Sequence, residues 1–548
     1  MSIVLRSGMS LGEMSAENDA NFLRNCFVST GLIQNARDVS NSKSILLGRT
    51  GSGKSAILLE IEKTEENVIR IDPESLSLNY ISNSDIIKFF ENLDIKMDVF
   101  YQLLWRHIFA VELIKSKQKL HDEKQTRSWV ANLFSNLGGN PQKKKALEYL
   151  FEFGDSFWAD TEERVREVVR GIESKFEGQA GFDLKSLIAK FSSTGKVTDS
   201  ETLSEIKDVV HKAQKVVDGV QIQELENVIN LLSQDIFKDK HEKFYIIIDD
   251  LDVDWTHNHI RFKLIRALIE TIRKFRRMEN VKILISMRSD LLYTVLEKTK
   301  SSGFQAEKYD DLFQPIVWSW NSLRDLADQR IRYLFKDQYT TKPVTLNDVL
   351  AQKVGDNEGF QYILERTLDR PRDVISYMNE CFEVGVGQHK MSNKVIRDAE
   401  ALYSVKRLRS LSDEWREAFG DIEPLCRYLK KLGARFQISD IDKGKIDDLC
   451  ITVFDGTGDD VVERALHLEC EAYMNGTMTL EGVRSAYLNI MYIVGAIGVK
   501  MDTFSSYEWS YENHPTLDAN RISDSAKFRV HPMLFKGLGI YADPKSVS

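Results

Sequence analysis

The sequence lacks an excess of positive charge. Its 548 residues include 74 Lys and Arg against 83 Asp and Glu, which gives a net charge of −9. A protein that binds polyanions over a broad surface needs a basic face, because the phosphate groups that it contacts are negatively charged. The composition therefore argues against a general nucleic-acid-binding protein and leaves only a local basic patch open.

Cysteines and long apolar runs are also scarce. The five cysteines are scattered, odd in number and without a C-x-x-C pair, which indicates reduced thiols and no structural zinc. The longest apolar stretch, residues 487–499, is shorter than the roughly 20 residues needed to span a bilayer. The N-terminal residues MSIVLR lack the apolar segment of a signal peptide. We therefore expect a cytoplasmic protein without a membrane partner.

A glycine-rich loop early in the chain is the most informative motif. Residues 48–55 read GRTGSGKS and match G-x-x-x-x-G-K-[ST] in full. Glycines let the backbone turn so that successive N–H groups point at phosphate oxygens, and the following helix adds its positive dipole end. Lys54 is expected to reach the β- and γ-phosphates of ATP, and the Ser55 hydroxyl is expected to bind Mg²⁺. The predicted nucleotide-binding residues are Gly48, Arg49, Thr50, Gly51, Ser52, Gly53, Lys54, Ser55 and Ala56.

A run of aliphatic residues that ends in acids is the second motif. Residues 244–252 read FYIIIDDLD, which is typical of a buried strand with carboxylates at its carboxyl end. Ligands bind at this end of the strands in parallel sheets. Asp249 is therefore predicted to hold Mg²⁺ through water, and Asp250 is predicted to polarise the attacking water. The role of Asp252 stays open.

Short apolar strands alternate with helical segments around both motifs. We predict strands at 45–47, 68–71, 244–249, 281–287 and 315–318, and helices at 54–63, 97–117 and 260–278. Strands separated by helices imply a parallel sheet, so the expected fold class is an α/β P-loop core. The predicted domains are a helical lead-in (1–42), the first part of the core (43–118), a helical insertion (119–236), the second part of the core (237–321), a helical lid (322–393) and a C-terminal helical, winged-helix-like α+β domain (394–548).

The C-terminal region combines helices with two strand-like segments, 504–511 and 527–531, before a short helix near 533–538. This order resembles a winged helix. Tyr507, Trp509 and Tyr511 alternate and so share one face of a strand. Packing against helices is the favoured interpretation of that face, and a platform for stacking bases is the alternative. Basic runs at 406–409 and 427–435 are interpreted as solvated surfaces, so nucleic-acid binding is not favoured.

The combination of GRTGSGKS, IIIDDLD, ISMRSD and RPRD resembles the STAND and AAA+-like ATPases. More narrowly, the chain is similar to a poorly characterised bacterial family of P-loop ATPases, some of which lie near anti-phage defence genes. The resemblance implies that Arg288 is a first sensor of the γ-phosphate. It implies that Arg372, which follows Pro371 at a helix start, is a second sensor on the lid. Asp250 stands where ordinary AAA+ proteins have glutamate, which predicts slow hydrolysis.

The sequence therefore predicts an ATP- and Mg²⁺-dependent regulatory ATPase. Lys54, Asp250, Arg288 and Arg372 are the candidate catalytic residues, and Ser55 and Asp249 are the candidate metal ligands. Its nucleotide state is expected to control self-assembly or a partner effector, since the chain carries no other catalytic signature. One alternative is a nucleic-acid loader or motor that uses the winged-helix-like domain. Another is a scaffold that binds ATP without hydrolysing it.

Overall fold

The computed structural model of the chain describes residues 3–74, 84–93, 95–118, 161–180, 200–218, 222–253, 255, 258–299, 306–337, 342–454, 465–502, 504–512, 517, 522 and 525–541. The chain divides into two compact units. The first unit comprises Thr30–Leu47 and Ile57–Pro315, and the second comprises Met1–Ser29, Gly48–Ala56 and Ile316–Ser548. Each unit is described by itself below, with helices and strands numbered along the whole chain.

A five-stranded parallel sheet forms the centre of the first unit. Its strands are β1 (Ile45–Gly48), β2 (Val68–Ile71), β3 (Phe244–Ile248), β4 (Val281–Arg288) and β5 (Phe313–Pro315). Their order in the sheet is β2-β3-β4-β1-β5, so β4 lies between β1 and β3. Every residue of β3 is buried, as expected of a parallel strand covered on both faces. The carboxyl ends of β1 and β3 share one edge of the sheet, two strand spacings or about 10 Å apart.

Helices pack around this sheet. They are α2 (Gly31–Arg37), α3 (Lys54–Thr64), α4 (Asp85–Asn92), α5 (Asp98–Gln118), α6 (Thr161–Ala180), α7 (Ser200–Asp218), α8 (Ile222–Leu231), α9 (Asn258–Phe275) and α10 (Ser289–Lys298). The indole N–H of Trp105 on α5 donates to the Leu264 carbonyl of α9 at 2.8 Å. The rings of Phe109 and Phe275 meet edge to face at 5.3 Å. Apolar packing of α5 on α9 thus supports the helix that connects β3 to β4.

Helices dominate the second unit. They are α1 (Ala20–Asn25), α11 (Trp320–Leu334), α12 (Leu346–Val349), α13 (Gly359–Leu364), α14 (Pro371–Val384), α15 (Asn393–Phe419), α16 (Glu423–Tyr428), α17 (Lys443–Phe454), α18 (His467–Met474), α19 (Leu480–Ile493) and α20 (Phe535–Leu538). A small hairpin joins β6 (Lys353–Val354) to β7 (Asn357–Glu358). Proline lacks an N–H and therefore suits the first turn of a helix, where α14 has Pro371. Tyr377 of α14 and Tyr403 of α15 stack at 4.7 Å, so these two helices pack closely.

A three-stranded antiparallel sheet lies near the end of the second unit. Its strands are β8 (Arg435–Gln437), β9 (Ile497–Lys500) and β10 (Lys527–Val530), in the order β8-β10-β9. The predicted strand at 527–531 is confirmed as β10, but the prediction of a strand at 504–511 is wrong. That segment supplies only a bridge from Glu508 to Val499 of β9, and both sides of β10 are instead paired with β8 and β9.

The parallel sheet of the first unit is confirmed, with one shifted strand. The fifth strand was expected at 315–318 and instead spans Phe313–Pro315. Its residues pair with 45–47 of β1, and Val317 beyond them is 65% exposed. Within the predicted insertion at 119–236, residues 119–160, 181–199 and 219–221 lie outside the described residues. The described remainder forms α6, α7, α8 and a π-helical turn at Leu232–Ile236.

Candidate functional site

The loop between β1 and α3 takes a conformation that depends on its glycines. Gly51 and Gly53 have φ values of 79° and 97°, which L-residues with a side chain rarely adopt. At Gly48, an added Cβ would lie 2.4 Å from the Ser52 hydroxyl oxygen. The three glycines of the motif therefore let the chain turn tightly as it passes from strand to helix.

The polar side chains of this loop are turned inward. The Lys54 side chain is buried, and its ammonium donates to the carbonyls of Gly48 at 3.1 Å and Arg49 at 3.2 Å. The Thr50 and Ser52 hydroxyl oxygens are buried without a hydrogen-bond partner. Unsatisfied buried hydroxyls are costly, so the loop offers polar groups that an oxygen-rich ligand can satisfy. Ser55 and Ala56, at the start of α3, are half-buried.

Residues later in the second unit donate hydrogen bonds to the carbonyls of this loop. The backbone N–H of Arg372 donates to the Gly51 carbonyl at 3.2 Å, and the Arg370 guanidinium donates to the Thr50 carbonyl at 2.5 Å. The Trp318 indole N–H donates to the Ser52 carbonyl at 2.8 Å. These donors occupy three carbonyls of the loop, while within the loop the Ser52 N–H donates to the Arg49 carbonyl at 3.1 Å.

Replacing Gly51 by alanine is expected to destabilise the second unit more than a matched glycine replacement does. Gly51→Ala places a Cβ 2.3 Å from the Arg372 Cβ and forces alanine into a positive φ, which alone costs about 1–2 kcal/mol. Gly476→Ala is the control, since Gly476 has a φ of 74° but nothing within 4 Å of an added Cβ. Thermal melting should show a clearly larger loss for Gly51→Ala. Equal losses of stability in the two variants would show that the close contact between residue 51 and Arg372 has no effect.

A cluster of buried, charged side chains lies beside the loop. Arg49 donates to Glu414 at 3.1 Å, Arg370 lies 3.0 Å from Asp373, and Arg407 lies 3.5 Å from Asp373. Burial, followed by the nearby Arg370 and Arg407, lowers the pKa of Arg49, although Glu414 opposes this. Burial would raise the pKa of Asp373, but Arg370 and Arg407 lower it. Three guanidinium groups thus face two carboxylates, which leaves a surplus of positive charge beside the loop.

In the first unit, Asp249 follows β3 at the carboxyl edge of the sheet. It is only 4% exposed. Its Oδ1 accepts hydrogen bonds from the Ser286 hydroxyl and, at 3.1 Å, from the Asp250 N–H. Its Oδ2 is buried without a hydrogen-bond partner, although Arg70 lies 3.9 Å away. One carboxylate oxygen is therefore fixed by neighbours while the other retains unused acceptor capacity.

Asp250 and Arg288 lie near this acid in the first unit. Asp250 is exposed and has a φ of 55°, a left-handed conformation that aspartate adopts more readily than most residues. Arg288 ends β4, and its guanidinium binds Asp252 at 2.8 Å and Asp290 at 2.6 Å. Burial would lower the pKa of Arg288, but the Asp290 and Asp252 carboxylates outweigh it and raise the pKa. The predicted first sensor is thus held between two acids.

Arg372, the predicted second sensor, lies beside the loop of the second unit. Its Nε donates to the Met14 carbonyl at 2.9 Å, and burial is the main cause that lowers its pKa. The guanidinium that reaches the loop itself belongs to Arg370, which the sequence analysis did not single out. Its only sequence signal was its place in the RPRD motif. Glu414 was missed as well, because it gives no local signal in the middle of a helical pattern.

A pocket of about 250 Å³ opens beside the loop, within the second unit. Its walls include Ser52, Trp320, Asp369, Tyr511 and Glu512. The Trp320 indole N–H donates to Asp369 at 2.9 Å. Burial and the neighbouring Glu512 carboxyl raise the pKa of Asp369 well above the usual range for aspartate. The sequence offered no signal for this pair of acids, since they are far apart in the chain.

Asp369→Asn is expected to raise the melting temperature at pH 8 and to have little effect at pH 4. In the unfolded chain this carboxyl is charged above about pH 4, whereas the folded protein retains its proton to a higher pH. The native state then binds more protons, so wild-type stability falls as the pH rises through this window. Asparagine also tolerates the φ of 47° at this position. Melting curves of Asp356→Asn, which removes an exposed carboxylate of the second unit, provide the control, and a pH-independent difference would contradict the argument.

Several side chains of the basic runs and of the tail aromatics considered for nucleic acid have partners within the second unit. Arg427 donates to Glu423 at 2.8 Å, and Lys431 lies 2.5 Å from Asp448. An added Cβ on Gly498 would lie 2.8 Å from the Trp509 ring, and that ring is 4.8 Å from His531. This arrangement agrees with the interpretation that these aromatics pack against the rest of the fold.

Comparison with known proteins adds a local and a global similarity. The profile of the FunZ-associated C-terminal helical domain matches residues 321–412, whose described part consists mainly of the helices from α11 to α15 and includes the β6–β7 hairpin. The putative transposon gamma-delta 80.3 kDa protein of Escherichia coli (strain K12) is 20% identical over 538 residues, which cover 96% of this chain and 67% of that protein. The allergen Alt a 2 of Alternaria alternata is 29% identical over 139 residues, or 22% of this chain and 72% of the allergen. No P-loop ATPase family profile matches the chain.

The described residues also bear on metal binding and on membrane crossing. Among the described residues, no group of three or more His, Cys, Asp or Glu side chains could hold a metal ion. A magnesium ion does not need such a group, because it is usually held by one or two carboxylates together with substrate phosphates. None of the helices in the described part of the chain is long and apolar enough to cross a membrane.

Proposed function

We propose that the chain binds ATP through residues 48–55 and uses its nucleotide state to regulate self-assembly or a partner protein. The conformation of the loop carries the proposal. Gly51 and Gly53 have positive φ values, and buried Lys54 is folded over the loop carbonyls. Such a loop between a parallel strand and a helix N-terminus directs backbone N–H groups at an anion.

The surrounding charge favours a ligand with several negative charges. The three guanidinium groups of Arg49, Arg370 and Arg407 are only partly balanced by Asp373 and Glu414. Buried surplus charge is unfavourable unless it is compensated. A triphosphate near the loop would provide that compensation, together with partners for the buried hydroxyls of Thr50 and Ser52.

Asp249 is the residue of the first unit best suited to hold magnesium. Its buried Oδ2 has no hydrogen-bond partner, and carboxylate oxygen is the kind of ligand that Mg²⁺ prefers. Its position after β3 puts it at the sheet edge that β1 also reaches. We assign the second protein ligand to Ser55, at the start of α3. Bound Mg²⁺ would supply charge neutralisation for the phosphates.

We assign the remaining roles to Asp250 and Arg288, which lie at the carboxyl edge of the sheet, and to Arg372, which lies beside the loop. Exposed Asp250 would orient water, and its short side chain is expected to make hydrolysis slow. Arg288 would sense the γ-phosphate only after exchanging a contact with Asp252 or Asp290. Arg372 would report the state of the loop through its backbone bond to Gly51. A place in anti-phage defence rests on the family resemblance alone.

A nucleic-acid motor is less well supported. The order of helices and strands around β8, β9 and β10 resembles a winged helix, but Arg427 and Lys431, two of the basic residues that could contact DNA, are paired with acids of the same unit. Winged helices also mediate contacts between proteins, which suits a regulatory protein.

Native mass spectrometry of the purified protein with and without ATP tests the proposed function. The proposal expects a mass increase equal to ATP and Mg²⁺, together with a change in oligomeric state or in a co-purifying protein. A nucleotide-independent spectrum would refute it. Recovery of unhydrolysed ATP after prolonged incubation would instead favour the non-hydrolysing scaffold.

A further inference from the structure

One carboxylate joins the glycine-rich loop to a distant helix of the second unit. Glu414, near the end of α15, accepts hydrogen bonds from Arg49 of the loop at 3.1 Å and from Arg370 at 3.2 Å. Its side chain is only 3% exposed. Since Arg370 also donates to the Thr50 carbonyl, Glu414 reaches the loop directly through Arg49 and indirectly through Arg370.

Arg49 also contacts the residues that precede β9. Its second terminal nitrogen donates to the Val494 carbonyl at 2.8 Å, and its guanidinium lies over the Trp415 ring at 5.5 Å. Gly495 has a φ of 82°, and a Cβ there would lie 2.8 Å from an Arg49 nitrogen. Close packing therefore leaves the Arg49 side chain little room to move independently of residues 494–495.

Removing Glu414 would disturb the loop more than the rest of the fold. Arg49 and Arg370 would then face each other with Asp373 as the remaining acid of the cluster. Like charges in a buried site repel strongly because water does not screen them. Arg49 is on the loop itself, so relief of that repulsion would move the loop backbone.

We propose that Glu414 is a positioning residue that holds the phosphate-binding loop in its working shape and couples it to the segment at 494–495. Glu414 does not touch nucleotide in this account. It acts through Arg49, which belongs to the loop, and through Arg370, which donates to the Thr50 carbonyl. The inference rests on the proposed function for its consequence in ATP binding, but the loop-holding role can be measured without nucleotide.

A matched pair of variants on one helix tests the proposal. Glu414→Gln removes the shared charge. Glu400→Gln removes the charge of another buried glutamate of α15, which accepts from Arg366 at 2.9 Å and from the Tyr362 hydroxyl at 2.6 Å. Both glutamates are nearly inaccessible and both are paired with arginine, but only Glu414 is linked to the loop. General destabilisation should therefore be similar in the two variants.

Amide hydrogen exchange without nucleotide is the first readout. Glu414→Gln should speed exchange of the amides at residues 48–53 by about tenfold, whereas Glu400→Gln should leave them unchanged. The affinity for Mg²⁺ and ATP is the second readout, and it should fall about tenfold in Glu414→Gln alone, the loss of roughly one charge-assisted hydrogen bond. Loop exchange that is equal in the two variants would overturn the proposal.

Further variants keep the proposal testable if Glu414→Gln does not fold, and they measure the coupling between Arg49 and Glu414. If Glu414→Gln does not fold, Arg49→Met supplies the same test, because it breaks the link to the loop while the Glu414–Arg370 pair remains. The double variant should lose clearly less ATP affinity than the sum of the two single losses, since both variants remove the Arg49–Glu414 interaction. Additive losses would contradict the coupling. If the wild-type protein binds no ATP, the proposed function fails, and hydrogen exchange still decides the role of Glu414.

Discussion

Lys54→Ala is expected to lower the affinity for ATP by about a hundredfold. A hydrogen bond to a charged group contributes about 1.5–3 kcal/mol, and each 1.4 kcal/mol changes affinity about tenfold. In the nucleotide-bound state the ammonium would exchange its bonds to the Gly48 and Arg49 carbonyls for bonds to phosphate. Calorimetric titration with ATP and Mg²⁺ measures the change directly.

Lys63→Ala is the matched control for this prediction. Lys63 lies near the other end of α3, and its exposed side chain is 3.7 Å from Glu60. Surface ion pairs of this kind contribute little to stability, so Lys63→Ala should bind ATP as the wild type does. An unchanged affinity in Lys54→Ala would remove the loop from the proposed function.

Asp249→Asn is expected to abolish the magnesium dependence of ATP binding. An amide oxygen is a weaker ligand for Mg²⁺ than a carboxylate. The amide group would also disturb the bonds that Asp249 accepts from Ser286 and the Asp250 N–H. Titrations with and without Mg²⁺ should differ strongly for the wild type and hardly at all for the variant.

Asp250→Ala separates metal binding from turnover. The variant should keep the magnesium-dependent affinity, because Asp250 is exposed and follows the metal ligand in the chain. Its rate of ATP hydrolysis should fall by about a hundredfold, within the range seen when a general base is lost. Loss of affinity with unchanged turnover would exchange the roles assigned to the two aspartates.

The sequence was sufficient to predict the elements around both motifs. An aliphatic run followed by glycines or acids can form little except a buried strand that ends in a turn, so β1, β3 and the start of α3 were placed within a residue or two. Pro371 predicted the beginning of α14 for a similarly local reason. The sheet order was not predictable, because strand pairing depends on contacts between segments far apart in the chain.

The C-terminal sheet shows where local patterns fail. β8 has three residues of which only Phe436 is buried, which is too short for a recognisable alternation. β9 is apolar and follows α19 closely, so periodicity alone could not separate the strand from the helix. Gly495, whose positive φ ends the helix, was the signal that could have divided them.

The contacts that position the loop could not be predicted from local sequence patterns. Arg49 and Glu414 are 365 positions apart in sequence, and glutamate within a long helix looks like an ordinary surface residue. Only the structure shows that this glutamate is buried and shared by Arg49 and Arg370, with Arg407 3.9 Å away. Arg288 illustrates the converse, since its motif was visible in the sequence but its two acidic partners were not identified.

Manganese binding tests most directly whether the loop and the β3 carboxylate act on one metal–nucleotide complex. Mn²⁺ can replace Mg²⁺, and because free ATP also chelates Mn²⁺, the protein is first separated from free nucleotide by rapid gel filtration and the Mn²⁺ retained with it is then measured by electron paramagnetic resonance. The account predicts tight Mn²⁺ binding by the wild-type protein only when ATP is present, with loss of that binding in both Lys54→Ala and Asp249→Asn. Equally tight Mn²⁺ binding without ATP, or its persistence in Lys54→Ala, would show that the two motifs act separately.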